Sequence, residues 1–158
     1  MNKTMSVRSG VVHGLCALVA ATVLVTGCSA AEQILTIKDK NEFVQAANKF
    51  IEASNVVQTK GSAATTPDAV VAVIDGQLPT MKAQIQSMQS IEKKLKGNPQ
   101  QIADRAITAA QKVLASTEAI KAGAQASDPQ AVSAAAADNI AAIKQFNEAA
   151  QEWNAQKL

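Results

Sequence analysis

Apolar side chains recur at alternating steps of three and four residues from residue 43 onward. This spacing places them on one face of an α-helix, and it continues through four successive segments. A half-buried strand would instead alternate every second residue, and only residues 34–37 come close to that pattern. The positions on the four apolar faces are, in chain order, Phe43, Ala46, Phe50, Ala53, Val57, Val71, Ile74, Leu78, Met81, Ile85, Met88, Leu95, Ala103, Ala106, Ala110, Val113, Thr117, Ile120, Val132, Ala136, Ile143, Phe146, Ala150 and Trp153.

Three polar–proline pairs divide the segments. Proline suits the first position of a helix, where its missing N–H would have no partner, and the polar residue before it can cap the first turn. Gly61 and Gly97 stand where the preceding helices are expected to end. The pairs are Thr66-Pro67, Asn98-Pro99 and Asp128-Pro129.

Short connections between four helices predict an all-α fold, an up-down-up-down four-helix bundle of long, Ala-rich helices. We expect the bundle to occupy residues 39–158, with a helix start near Asp39 or as early as Ala31. Pro79 lies inside the second helix, which is therefore predicted to be kinked or broken there. The run Ala134–Ala137 predicts close packing of the third and fourth helices.

The aromatic residues lie in the first and last helices, one heptad apart in each. Antiparallel packing of these helices would place Phe43 near Trp153 and Phe50 near Phe146, and we interpret this cluster as core. Asn139 takes an apolar-face position in the last helix. A polar residue at such a position often sets helix register. The alternative is that Asn139 lines a small polar cavity.

The N-terminal residues have the organisation of a secretory signal. Lys3 and Arg8 form a basic region, and residues 15–25 are an apolar run, too short to cross a membrane. The run ends in Val25-Thr26-Gly27-Cys28, which resembles the lipobox of bacterial lipoprotein signal peptides. The resemblance implies cleavage between Gly27 and Cys28 and a diacylglyceryl thioether on Cys28. An uncleaved anchor, or an incidental Cys behind an ordinary signal peptide, are the alternatives.

The lipoprotein resemblance defines three parts of the chain. Residues 1–27 would be the cleaved signal peptide, residues 28–38 the lipidated Cys with a short tether, and residues 39–158 the bundle. Two acyl chains are enough for stable membrane anchoring. The protein is therefore expected at a cell membrane, lipid-anchored and facing away from the cytoplasm.

The charge balance after Cys28 limits the classes of function that can be predicted. Removal of Lys3 and Arg8 leaves thirteen basic residues, equal to the 13 acidic residues, so net charge predicts neither nucleic-acid binding nor attraction to anionic lipid. The basic group Lys93, Lys94 and Lys96 is interpreted as the solvated last turn of a helix.

The chain after Cys28 contains no histidine and no other cysteine. This excludes a Ser-His-Asp triad, a Cys-His pair and a His-ligated zinc site in that part of the chain. The carboxylates do not have calcium-loop spacing. We therefore expect no enzymatic activity, no metal and no cofactor. An enzyme that uses only carboxylates, Lys or Ser is the third alternative.

These observations favour two functional hypotheses. The first is a non-enzymatic interaction or adaptor module that contacts another envelope protein or a second copy of itself. The second is a carrier or sensor of a small apolar ligand bound between the helices near the Pro79 irregularity. The residues predicted to line that pocket are Ile74, Leu78, Pro79, Met81 and Ile143.

Overall fold

A computed structural model describes residues 31–156, with side chains from residue 37 onward. These residues form four helices: α1 (Ala31–Ala63), α2 (Pro67–Glu92), α3 (Asn98–Gln125) and α4 (Pro129–Ala155). Each helix packs on the next, α1 on α2, α2 on α3 and α3 on α4, and the described part contains no strand. The predicted all-α bundle is confirmed. Helix α1 begins at Ala31, the earlier of the two starts considered from the sequence.

Two of the three expected helix caps form. The Thr66 hydroxyl accepts a hydrogen bond from the backbone N–H of Ala69 at 3.2 Å. The Asp128 carboxylate accepts from the N–H groups of Gln130 and Ala131, both at 3.0 Å. Each bond satisfies an N–H that has no partner inside its own helix. These caps fix the starts of α2 and α4.

The expected cap at Asn98 is wrong. The residue in the cap position of α3 is Gly97, with a φ of 66°, and no side chain caps this helix. The Asn98 amide instead donates a hydrogen bond to Oε1 of Gln156, just after α4, at 2.8 Å. This side chain thus joins the start of α3 to a residue 58 positions away, a contact that local sequence pattern does not reveal.

Helix α2 continues through Pro79 from Pro67 to Glu92. Of the two outcomes predicted there, a kink or a break, the break does not occur. Ile74 and Met81, on either side of Pro79, are completely buried, and Pro79 itself is exposed. Tertiary packing supplies most of the stability of a helix in a protein, which explains why one missing backbone hydrogen bond does not end α2.

The aromatic pairs form as predicted. The Phe43 and Trp153 rings stack with centroids 4.6 Å apart, and the Phe50 and Phe146 rings are tilted at 36° with centroids 5.4 Å apart. These four buried side chains join α1 to α4 and close the bundle. The core therefore lies between all four helices.

Helices α3 and α4 have the most extensive backbone contact in the bundle, as the alanine content predicts. A Cβ atom on Gly123 would lie only 3.0 Å from both the backbone nitrogen and a side-chain methyl of Val132. The sequence pattern does not single out Gly123. Its lack of a side chain is what permits the close approach at the turn between these helices.

That turn has the hydrogen bonds of a Schellman motif. The N–H of Asp128 donates to the carbonyl of Gly123 at 2.9 Å, and the N–H of Ser127 donates to the carbonyl of Ala124 at 3.0 Å. Ser127 has a φ of 54° and takes the left-handed position usually occupied by glycine. Backbone strain at Ser127 accompanies the short connection.

Candidate functional site

The sequence-predicted attachment site lies outside the described residues. Gly27 and Cys28 precede residue 31, so cleavage and acylation stay predictions. Helix α1 begins three residues after Cys28 in the sequence. The end of the bundle that is nearest along the chain to Cys28 is therefore formed by the first half of α1, the α2–α3 loop and the end of α4.

The five residues predicted for a ligand pocket have different environments. Ile74 and Met81 have no exposed surface and Ile143 is 9% exposed, so these three belong to the interior. Leu78 is half-buried and Pro79 is exposed. Neither of the two surface grooves described below is lined by any of the five. The internal pocket stays a prediction.

Two adjoining grooves lie on the outer face of α3 and α4, and we refer to them together as the outer groove. Their volumes are about 340 and 470 Å³, and both are lined by Lys112 and Gln145, which are joined by a hydrogen bond of 3.1 Å. Small side chains leave this trough open to solvent. Its alanines are Ala109, Ala115, Ala119, Ala141, Ala142 and Ala149.

Charged residues stand along the outer groove. Arg105 of α3 forms a bidentate ion pair with Glu152 of α4, and this hydrogen bonding raises the pKa of the Arg105 guanidinium. Asp104 and Asp138 form no ion pair with any other residue in the described part of the chain. The groove thus combines an apolar floor with acidic groups available to a partner.

A second surface, after the outer groove, is the end of the bundle that we name the lysine end face. It consists of residues 38–40 of α1, Lys93, Lys94 and Lys96 after α2, and Gln156 after α4. Nζ of Lys94 lies 3.1 Å from Oδ1 of Asp39. Asp39 is buried, with only 7% of its surface exposed. This ion pair connects α1 to the α2–α3 loop.

Further hydrogen bonds hold the same end together. Nζ of Lys40 donates to the Gln156 carbonyl at 3.0 Å, connecting α1 to the end of α4. Partial burial lowers the pKa of Lys40, because removal from water disfavours the charged amine. Nε2 of Gln100 donates to Glu92 at 2.7 Å and connects α3 to α2. Contacts between different helices therefore order this end face.

Lys93 and Lys96 project from this ordered end. Both are exposed, and neither forms an ion pair with another residue that the structure describes. Leu95 between them is 7% exposed and belongs to the core, which fixes the loop against the bundle. The sequence interpretation assigned these lysines to a last helical turn, but α2 ends at Glu92 and the lysines follow it.

Between residues 31 and 156, no group of three or more Asp or Glu side chains is placed to hold a metal ion. None of the helices described combines the length and apolar character needed to cross a bilayer. Searches with family models, characterised proteins and solved structures found no match to this chain.

Sequence reasoning missed both features for different reasons. The groove alanines lie beside the apolar face, and the four-residue spacing of Ala115 and Ala119 is the signal that could have indicated a second small-residue face on α3. The lysine end face depends on the contact between Lys94 and Asp39, which are 55 residues apart. No local pattern indicates that contact.

Proposed function

We propose that this protein is a cell-envelope lipoprotein, anchored through a diacylglyceryl group on Cys28, whose bundle acts as a non-enzymatic interaction module. In this proposal the outer groove receives a helix from another envelope protein. The observation that carries the proposal is the open, alanine-floored groove between α3 and α4. The anchor rests on the lipobox resemblance of residues 25–28.

The dimensions of the outer groove fit a helix. On α4 its lining runs from Asp138 to Glu152, about 21 Å at 1.5 Å per residue. This length corresponds to about four helical turns. The Lys112–Gln145 hydrogen bond and the Arg105–Glu152 ion pair span the groove, so they would have to open for a helix to reach its alanines. Alanine side chains also allow two helix axes to approach closely, since the interaxial distance depends on the side chains at the contact.

The charges along the outer groove indicate which side chains a bound helix would carry. Asp104 and Asp138 have no ion-pair partner among the described residues. They outnumber Lys112, the cation of the described lining that is not in an ion pair, because Arg105 is paired with Glu152. Lysines or arginines flanking a face of small residues would complement them. Complementary charges of this kind increase specificity and association rate more than affinity.

The alternative, a carrier of an apolar ligand inside the bundle, has less support. Ile74 and Met81 would need to leave a cavity, yet both are completely buried. Neither residue lines the outer groove. An interaction at the surface therefore has the better structural basis.

In-cell photo-crosslinking tests the groove. A photoreactive amino acid at Ala141, in the groove, is expected to give a discrete protein adduct, whereas the same probe at exposed Ala83 on α2 should give none. Asp104→Lys combined with Asp138→Lys should reduce the Ala141 adduct. Equal adducts from both positions, or no adduct from Ala141, would show that the groove is not the contact surface.

The anchor requires its own experiment. Radioactive palmitate should label the wild-type protein, and the label and the recovery in washed membranes should both disappear in Cys28→Ala. Unchanged membrane recovery of Cys28→Ala would reject acyl anchoring. This result is independent of the adducts formed at Ala141.

A further inference from the structure

We propose that the lysine end face rests on anionic phospholipid headgroups, with Lys93 and Lys96 as the contacting cations. The inference depends on the proposed Cys28 anchor and adds an orientation to it. The equal numbers of acidic and basic residues after Cys28 do not predict such a contact. Folding places the basic group at residues 93–96 beside residues 38–40 of α1, at one end of the bundle.

Distance along α1 places this face near the membrane. Lys94 binds Asp39, eight residues after the helix start at Ala31, which is about 12 Å along the helix axis. The headgroup layer of one leaflet is about 5–7 Å thick, and electrostatic attraction persists over about 8 Å at physiological salt. The separation of about 12 Å is therefore comparable with the headgroup thickness and the screening length taken together.

The loop presents Lys93 and Lys96 in a fixed arrangement. The N–H groups of Lys94 and Leu95 donate to the carbonyls of Ile91 and Glu92, both at 2.9 Å, and the Leu95 side chain is buried. Because the backbone is already ordered, contact with the membrane would restrict mainly the two lysine side chains. Less conformational entropy is then lost on docking.

The acidic groups at this end are largely engaged. Asp39 binds Lys94, and Glu92 accepts a hydrogen bond from Gln100. Glu42 lies 3.9 Å from Lys38. Lys40 donates to the Gln156 carbonyl, so Lys93 and Lys96 are the cations of this face whose amines have neither an ion pair nor a hydrogen bond to another described residue.

The exposed charge at the opposite end of the bundle has the opposite sign. Its exposed ionisable side chains include Asp68 in the first turn of α2 and Asp128 at the start of α4, with Lys60 near the end of α1. An anionic surface would therefore attract the lysine end face and repel the far end. Both effects favour an upright bundle.

Each lysine near an anionic leaflet contributes about 1 kcal/mol, which is about a fivefold factor in the docked population. Lys93 and Lys96 together should therefore increase the docked population about 25-fold. Salt screening should weaken this contribution.

Amine acetylation of the acylated full-length protein in vesicles tests the proposal. We would compare phosphatidylcholine vesicles with and without phosphatidylglycerol and measure each lysine by mass spectrometry, with exposed Lys60 as internal reference. Acetylation of Lys93 and Lys96 should slow several-fold only with phosphatidylglycerol, and high salt should reverse the change. An anionic surface favours the protonated amine, which does not react.

Two charge-matched variants sharpen this experiment. Lys38 belongs to the same face, so docking should also protect it in vesicles that contain phosphatidylglycerol. Lys93→Gln with Lys96→Gln should abolish this protection of Lys38, whereas Lys60→Gln with Lys144→Gln should preserve it. Retained protection in the first variant would overturn the assignment of the contacting cations. Equal acetylation of Lys93 and Lys96 in both vesicle types would overturn the docking itself.

Flotation of the same samples separates this inference from the anchor on which it rests. Flotation with both vesicle types, without protection of Lys93 and Lys96, would leave the anchor intact and reject docking. A protein that floats with neither vesicle would reject the anchor and docking together.

Discussion

Helix α4 packs against its two neighbours in different ways. Against α1 it meets large rings, Phe43 on Trp153 and Phe50 on Phe146. Against α3 it has the most extensive backbone contact, with Gly123 beside Val132. We refer to these contacts as the aromatic seam and the alanine seam. Large side chains keep two backbones apart, and small ones let them approach.

The two seams also differ in the hydrogen bonding of their buried polar groups. In the aromatic seam, Nε1 of Trp153 is buried with no hydrogen-bond partner among the described residues. In the alanine seam, Nδ2 of Asn139 donates to the Val113 carbonyl and to the hydroxyls of Ser116 and Thr117, at 3.1, 2.9 and 3.1 Å. We infer that apolar area stabilises the aromatic seam, while close approach and hydrogen bonds determine the geometry of the alanine seam.

The largest effect is expected in the aromatic seam. Phe50→Ala removes a completely buried ring and should lower the free energy of unfolding by about 3–5 kcal/mol. Ile140→Ala, at a 47% exposed position on α4, should change it by less than about 0.5 kcal/mol. Urea unfolding measures both. Similar losses in the two variants would contradict the division between core and surface.

Gly123 tests close approach in the alanine seam. Gly123→Ala should destabilise the bundle by about 1–3 kcal/mol, because its new Cβ would meet the backbone nitrogen of Val132. Gly76→Ala is the control: Gly76 lies inside α2 with no atom within 4 Å of a new Cβ, so this change should stabilise by about 0.5–1 kcal/mol. Thermal unfolding should give opposite signs. Stabilisation by both substitutions would show that α3 and α4 do not pack as closely as described.

Asn139 tests the hydrogen bonds of the alanine seam. Asn139→Leu keeps a similar volume but removes the Nδ2 group, whose two hydrogens are shared among three acceptors, and we expect a loss of about 1–2 kcal/mol. Asn154→Leu, at an exposed position of α4, serves as the control and should be close to neutral. Amide hydrogen exchange in α3 and α4 should increase in Asn139→Leu only. An unchanged or more stable protein would show that these bonds contribute nothing net.

The smallest effect is expected at the turn that joins the two helices of the alanine seam. Ser127 has a φ of 54°, which costs a non-glycine residue about 1 kcal/mol, so Ser127→Gly should raise the melting temperature slightly. Ser127→Ala retains the strain and should not. If both variants melt at the same temperature, the strain is not stored at this position.

Much of the bundle follows from local information. Apolar spacing predicts four helices, and Thr66 and Asp128 correctly mark the starts of α2 and α4. Heptad spacing in the first and last helices also predicts both aromatic pairs, because antiparallel order determines which rings can meet. These features depend on residues close together in the chain, or on the order of the helices.

The candidate surfaces required the tertiary structure. Which alanines line the outer groove depends on how α3 and α4 pack, and the role of Gly123 depends on its distance from Val132. The partners of Lys94 and Asn98 lie more than 50 residues away in sequence. The sequence by itself determined the helices and their buried faces, because periodicity is a local property. Only the folded arrangement decided what the remaining faces present to solvent, because that depends on contacts between distant segments.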